Sequence, residues 1–443
     1  MRIYIEQLGC ARNQVDAETM AGQLRSAGQT LTLSPDEADV IVVNTCGFVE
    51  SAINESIDAI LELSAFKKQG HCKRLIVTGC LPQRFGPDIA EALPEVDQFL
   101  GTGAFSRISE AVAGSLSQSV VLPDPDTIFV DAPFSRERDE PHIAYLKIAE
   151  GCSSHCTYCI IPKLRGRQKS RHLNRILDEA RHLIATGAKE IDLVAQDTTA
   201  YGRDLSESIG FSDLLSHLAK LFPDTWIRFL YGHPESITDD VIRTVADHEN
   251  LCPYFDLPAQ HASDAILKKM GRRYTQADLL NLFSRIRQAI PHAALRTTLI
   301  VGFPGETRTD FNILMDFVKQ VRFDHLGVFT YSDAEDLPSH ALPHPVSGKT
   351  AKARKGAIME AQSAISADNL AAMADQTLSV MVDRQEEGAL YTGRTQWQAP
   401  DVDGLVYIEI PPDVPAPTIG DRVSVRITET MHYDLAGTLV SCP

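Results

Sequence analysis

Short apolar runs alternate with longer amphipathic ones along most of the chain. In the first 120 or so residues, strand-like runs at 3–8, 40–43, 74–78 and, more weakly, 98–100 are each followed by a helix-patterned stretch, at 13–27, 49–66, 88–93 and 106–113. This alternation predicts a parallel sheet with helices on both faces, a doubly wound α/β domain. The rhythm breaks over 115–142, where SLSQS, Pro123, Pro125, Pro133 and the charged run SRERDEP mark a linker. It resumes at His142 with six strand candidates, 143–148, 190–195, 226–230, 254–257, 295–301 and 325–330, and with helical runs such as 173–185 and 276–290 between them. Six βα units predict a partial (βα)6 barrel with its chemistry at the carboxyl ends of the strands. After a helix-rich run at 349–373, short β-type runs at 378–382, 405–410 and 422–427 are divided by Gly, Pro and Asp, which predicts a small antiparallel β-barrel. The expected organisation is therefore an α/β multidomain chain, with domains at 1–118, 138–374 and 375–443 and a linker at 119–137.

Composition narrows the class. At 443 residues, 44% hydrophobic and 23% charged, the chain reads as a soluble protein of two or three domains. No stretch approaches the roughly 20 apolar residues that cross a bilayer, and the chain opens directly into a strand pattern, so a cytoplasmic protein with no membrane partner is expected. A net charge of -17 argues against a general nucleic-acid binder. From Asp375 to the end, eleven acidic residues stand against four Arg and no Lys, which suits a basic protein partner better than phosphate.

The cysteines carry the chemistry. Cys152, Cys156 and Cys159 form a CxxxCxxC cluster directly after an apolar run. Three thiolates so spaced can hold three irons of a four-iron four-sulfur (4Fe-4S) cube and leave the fourth iron open to a ligand. Zinc, with His155 as a further ligand, or a plain electron-transfer cluster are the alternatives. Cys10, Cys46 and Cys80 fall one to three residues after the first three expected strands, in the contexts LGC, NTC and TGC. Loops after parallel strands gather on one sheet edge, so these three are expected to converge as a second cluster site. Taken singly, each would be a small buried hydrophobe, and Cys72, Cys252 and Cys442 are read that way. Strand-end candidates in the barrel mouth are Gln196, Gln260, Arg296 and Gly302, the last opening the turn GFPGE. The basic run Lys163, Arg165, Arg167, Lys169 and Arg171 is either a solvated surface or a neighbour of anionic clusters or substrate.

The CxxxCxxC spacing, with Tyr158 before its last cysteine, resembles the radical S-adenosylmethionine (SAM) enzymes. Together with KIAEGCSSHCTYCIIPKLRG (147–166), AQDTTAYGRDL (195–205), PAQHASDAILKKM (258–270), TGRTQWQAPDVDG (392–404) and HYDLAG (432–437), the chain resembles the methylthiotransferase family from end to end. Within it, the QHAS stretch and the acidic terminal module favour the branch that modifies an aspartate on protein twelve of the small ribosomal subunit. The resemblance implies a methylthiotransferase domain, a radical SAM core and a terminal TRAM domain. It implies that Cys152, Cys156 and Cys159 hold the SAM-binding 4Fe-4S cluster, that Cys10, Cys46 and Cys80 hold an auxiliary one, and that Tyr158 lies beside the adenine of SAM. It also implies an electron donor, a basic ribosomal protein as substrate, free or on the ribosome, and no stable tRNA binding. Rival readings are a tRNA methylthiotransferase with the same clusters and a non-catalytic iron–sulfur carrier or sensor. Ala259 departs from the larger apolar residue expected there, which bears on local packing only.

Overall fold

The computed structural model describes residues 1–443 apart from 129, 132–135, 139, 442, 443 and the side chain of Gln69. Cys442 and the linker's Pro133 fall outside the described residues. The first unit runs β1 (Arg2–Gln7), α1 (Ala11–Ser26), β2 (Thr30–Leu31), β3 (Val40–Thr45), α2 (Glu50–Gln69), β4 (Arg74–Gly79), α3 (Cys80–Phe85), α4 (Ile89–Ala92), β5 (Gln98–Leu100), α5 (Ile108–Ala113) and β6 (Val120–Val121). Its sheet has the order β2-β1-β3-β4-β5-β6, and every pairing is parallel. Both faces are covered. Val40 and Val42 pack with Met20 and Leu24 of α1 and Ile108 of α5, while Ile41 and Val43 pack with Ile60 and Leu63 of α2 and Leu81 of α3. The sheet is therefore doubly wound, as expected, with its strand order reversing at β1 and β3. The helix expected at 88–93 is shorter, because Gly86, at φ +66°, and Pro87 separate α3 from α4. Two-residue strands β2 and β6 carry too little pattern to be read, and β6 adds the segment expected as linker to the sheet's edge.

The second unit begins with β7 (Ile143–Lys147) and a two-stranded ribbon, β8 (Ala149–Glu150) with β9 (Lys169–Ser170), separated by α6 (Ile161–Arg165). It continues with α7 (Leu173–Ala185), β10 (Glu190–Val194), α8 (Phe211–Leu221), β11 (Trp226–Phe229), α9 (Asp239–Asp247), β12 (Tyr254–Asp256), α10 (Asp264–Lys269), α11 (Gln276–Ala289), β13 (Ala294–Val301), α12 (Arg308–Val321), β14 (His325–Thr330) and α13 (Gly348–Ala371). Two parallel sheets, β11-β10-β7 and β12-β13-β14, meet where the Gly232 N–H donates to the Asp256 carbonyl at 2.9 Å, giving an open barrel of six strands. Leu183, Leu214, Leu218, Leu282, Phe317 and Ile358 of the surrounding helices share one core with strand residues Leu146, Leu193, Phe229 and Leu299. Ala259 is fully buried there, and its carbonyl accepts the Tyr274 hydroxyl at 3.0 Å.

Five strands close the last unit: β15 (Thr377–Gln385), β16 (Leu390–Arg394), β17 (Val406–Glu409), β18 (Arg422–Thr430) and β19 (Leu435–Ser441), in the order β15-β16-β17-β19-β18. The barrel is antiparallel except at β17 and β19, which run parallel. It sits on the amino-terminal rim of the larger barrel. Arg394 pairs with Glu190 at 2.9 Å, the Tyr254 hydroxyl donates to Asp403 at 2.6 Å, and His325 bonds the Trp397 carbonyl at 2.7 Å, each partner being the first residue of its strand. Asp383, Asp401 and Asp403 are thus spent on barrel contacts and on Arg394 within the module. No helix among the described residues is long and apolar enough to cross a membrane.

Candidate functional site

All six cysteines of the two sets border one cavity of about 290 Å³ between the carboxyl edge of the first sheet and the carboxyl mouth of the barrel. Cys10 follows β1 at the start of α1, Cys46 follows β3, and Cys80 follows β4 as the first residue of α3. Cys10 and Cys46 therefore flank the point where the strand order reverses, the usual ligand position of an open parallel sheet. The three loops are tied together by buried amides and hydroxyls. The fully buried Asn13 side chain donates to the carbonyls of Leu8 at 3.2 Å and Thr45 at 3.0 Å, and Asn44 donates back to the Asn13 carbonyl at 2.7 Å. Ser56 both accepts from the Cys46 N–H at 3.2 Å and donates to its carbonyl at 3.0 Å. Gly79, at φ +102°, has no room for a Cβ, which would stand 2.6 Å from the Thr45 carbonyl, so glycine lets the chain turn into Cys80.

The second set lies on a single loop held by backbone bonds. Cys152 N–H donates to the Gly166 carbonyl at 3.0 Å, Thr157 N–H to Met270 at 3.1 Å and Cys159 N–H to Cys156 at 3.2 Å. Gly151, at φ +79°, is again required, since a Cβ would meet the Arg167 carbonyl at 2.1 Å. The thiols of neither set meet at one point as the ligands of a single metal ion do among the described residues. They border a space, which is how the corners of a cube-shaped cluster take their ligands. Each set supplies three thiols and, among the described residues, no fourth cysteine lines the cavity beside it, so the donor chemistry fits two cubes with one open iron each.

Electrostatics differ between the sets. Burial pushes the Cys10 thiol up, but the Arg12 guanidinium, the Asn13 N–H and Arg165 together bring it below the ordinary thiol range. Burial raises Cys46 to about 11 and also raises Cys80 and Cys152; Cys159 is pushed up to about 12. Metal ligation would remove those protons.

Of the other expected residues, Tyr158, Gln196 and Gln260 line the cavity. The Tyr158 hydroxyl accepts two Arg272 N–H groups, at 3.1 and 2.5 Å, and its ring packs edge-on to Phe303. Gln196 donates to Glu150 at 2.6 Å while its side-chain oxygen is buried without a partner. Gln260 has a left-handed backbone at φ +66°, as does Tyr231 at φ +59°, which lines the same cavity. Non-glycine residues held this way store strain and gather at functional sites.

Arg296 and Gly302 do not border the cavity. Arg296 is the third residue of β13, toward the amino rim, and it binds Asp256 at 2.8 Å and lies 3.5 Å from Asp403 of the terminal barrel. Gly302 has Ala351 of α13 on one side, where an added Cβ would stand 2.5 Å from the alanine's own. Arg12, Asn13, Tyr231, His233 and Arg272 border the cavity without having been expected. The basic run divides: Arg167 is solvated, while Arg165 and Arg171 are buried in ion pairs. Partial burial of His233, together with the neighbouring Arg272 and Arg203 charges, depresses it to about 3, so it stays neutral.

Comparisons with known proteins place this geometry. Residues 2–101 match the model described as uncharacterized protein family UPF0004, residues 146–318 match the radical SAM superfamily, and residues 376–440 match the TRAM domain. Ribosomal protein uS12 methylthiotransferase RimO of Desulfosudis oleivorans is 52% identical over 99% of this chain and 99% of its own length. The chain belongs to the RimO methylthiotransferase family. A further RimO, from Clostridioides difficile, is 45% identical over 99% of both chains. The radical SAM methyltransferase TsrM from Kitasatospora setae superposes with a TM-score of 0.57 at 14% identity over 76% of each chain, which shows a shared fold. As a RimO-family radical SAM enzyme, this chain uses SAM and iron–sulfur chemistry.

Proposed function

We propose that this chain transfers a methylthio group to the β-carbon of an aspartate on ribosomal protein uS12, with a SAM-binding 4Fe-4S cluster on Cys152, Cys156 and Cys159 and an auxiliary one on Cys10, Cys46 and Cys80. The observation that carries the reading is that both sets of three thiols open on one cavity. The target carbon bears no leaving group, so ordinary acid–base or nucleophilic catalysis has little purchase. When bound, the two clusters and SAM would supply hydrogen abstraction from that carbon and a sulfur to replace the hydrogen, with a second SAM supplying the methyl that the sulfur carries. The chain's own task is placement, because reacting atoms must come within about 3 to 3.5 Å.

The unpartnered Gln196 oxygen offers an acceptor to the ammonium or ribose hydroxyls of SAM, and Tyr158, locked by Arg272, gives its adenine an apolar wall. Gln260 lines the same wall, with its backbone held by Thr298 and Ile300 at 2.8 and 2.7 Å. Work is divided over the expected units, 1–118 for the auxiliary site, 138–374 for SAM and 375–443 for contact with a basic partner. The names of the curated relatives support uS12 as that partner. An electron donor is required, a cytoplasmic setting is expected, and stable tRNA binding is not.

The test is anaerobic: the reconstituted enzyme, with dithionite and SAM, is offered uS12 and tRNA in parallel and the products are weighed by mass spectrometry. A methylthio gain on an aspartate of uS12 alone is expected. A gain on tRNA would overturn the substrate. The C10A/C46A/C80A variant is expected to cleave SAM yet transfer no sulfur; intact transfer would sink the assignment of the auxiliary site.

A further inference from the structure

Two arginines touch the sulfurs of the first domain's cysteines, and each spans the boundary between that domain and the barrel. Arg12, on α1, donates its Nε–H to Cys10 Sγ at 3.4 Å and its Nη1–H to the Ala195 carbonyl of the barrel at 3.0 Å. Its guanidinium also lies 4.4 Å from the centre of the Tyr231 ring at the barrel mouth. Arg165 ends α6, directly after the barrel's cysteine loop, and crosses in the other direction. Its Nη2–H groups reach Cys80 Sγ at 3.6 Å and Asn13 Oδ1 at 2.6 Å, and its Nη1 binds Asp16 at 2.8 Å. Arg165 also lies 3.4 Å from Glu150, whose carboxylate binds Lys147 at 2.9 Å and Gln196 at 2.6 Å. The Arg165 side chain is 2% exposed. By contrast, among the described residues, no cationic side chain bonds Cys152, Cys156 or Cys159, and the Cys152 sulfur accepts only the Ser154 N–H, at 3.4 Å.

We infer that Arg165 is a positioning residue for the auxiliary site: by donating a charged N–H to Cys80 Sγ from the partner domain, it raises the reduction potential of a cluster held there and makes that potential depend on domain docking. One-electron reduction adds a negative charge to a cluster, and hydrogen bonds to its sulfurs stabilise the added charge. Charge-assisted donors are about twice as effective as neutral ones, and the dry surroundings screen them little. Arg12 contributes the same kind of bond to Cys10. The barrel's own site, supplied by backbone N–H groups, gains no such contribution. Because Arg165 reaches Asn13, Asp16 and Cys80 from the barrel while Glu150 holds it on the barrel side, the donor to Cys80 is present only while the two domains are docked.

This inference rests on the auxiliary cluster of the proposed function, and the experiment separates the two. Full-length C152A/C156A/C159A protein is reconstituted so that only the first site carries iron, and its midpoint potential is titrated with dithionite under EPR detection. Arg165→Gln and, independently, Arg12→Gln are expected to move that potential to more negative values. In the reciprocal C10A/C46A/C80A background, the same substitutions are expected to leave the remaining cluster's potential where it was. An unmoved auxiliary potential, or an equal shift at both sites, overturns the inference. Arg12→Gln leaves the Asp16 and Glu150 pairs intact, so it reports even where Arg165→Gln fails to fold. Failure of the parent C152A/C156A/C159A protein to bind iron would instead refute the auxiliary site itself.

Discussion

Cys152, Cys156 and Cys159 come from one short loop, whereas Cys10, Cys46 and Cys80 come from three strand ends, yet both sets border the same cavity. The loop is held by bonds to Gly166 close by and, through Thr157, to Lys269, Met270 and Ser339 of the same unit, so its geometry is local to the barrel. The first set exists only once a parallel sheet has formed, and buried side chains such as Asn13 and Ser56 then fix the distances between its loops. A site built on one loop needs the right spacing in sequence and the single unit that carries the loop. An assembled one needs a domain, and it inherits that domain's charges and contacts.

The contrast should appear most strongly in stability. Ligating thiols about 35 residues apart closes long loops in the unfolded chain, whereas the CxxxCxxC set closes loops of three or four, a difference of about 2 kcal/mol for each loop. Anaerobic urea unfolding of the two triple-alanine variants should therefore show the larger loss for C10A/C46A/C80A. Equal losses would mean that the first sheet holds its strand ends without help from metal.

Asn13→Ala should come next. It removes donors to two loop carbonyls and an acceptor of Arg165, at a cost of about 3 kcal/mol. Iron should be lost from the first set while the EPR signal of the loop cluster persists with SAM. Loss of both signals would show that the two sites fold as one. The smallest effect is expected from Ser56→Ala, about 1 kcal/mol by thermal unfolding, because only the Cys46 backbone loses partners. A change in the loop cluster's signal in that variant would break the claim that its surroundings are local.

The same distinction explains what could be read in the sequence. Buried parallel strands such as β3 and β10 are continuous apolar or strand-patterned runs, so the doubly wound sheet, the six barrel strands and the convergence of three strand-end cysteines were legible. Two-residue strands were not, and neither was the parallel pairing of β17 with β19, which depends on barrel closure. Arg296 was misplaced because its position along β13, rather than its strand, decides which rim it reaches. Arg12 carried no signal, and Arg165 stood out only as one of a basic run with proximity to an anionic cluster as one of its two readings, since the partners of both are brought together by the docking of two domains. The terminal module is acidic by count, but Asp383, Asp401 and Asp403 are engaged by His142, Tyr145 and Tyr254 of the larger unit, so a partner meets a less acidic face than the count implies.

The crossing of Arg165 also has a meaning in time. Synthesis proceeds from the amino end, so Asn13, Asp16 and all three first-domain cysteines leave the ribosome well before Lys147 and Arg165 exist. Until the barrel's first strand and the loop after it have emerged, Asp16 lacks both of its cations and Cys80 lacks its charged donor. A nascent first domain can thus complete its sheet but not the surroundings of its thiols, and it is finished by a residue made far later in the same chain.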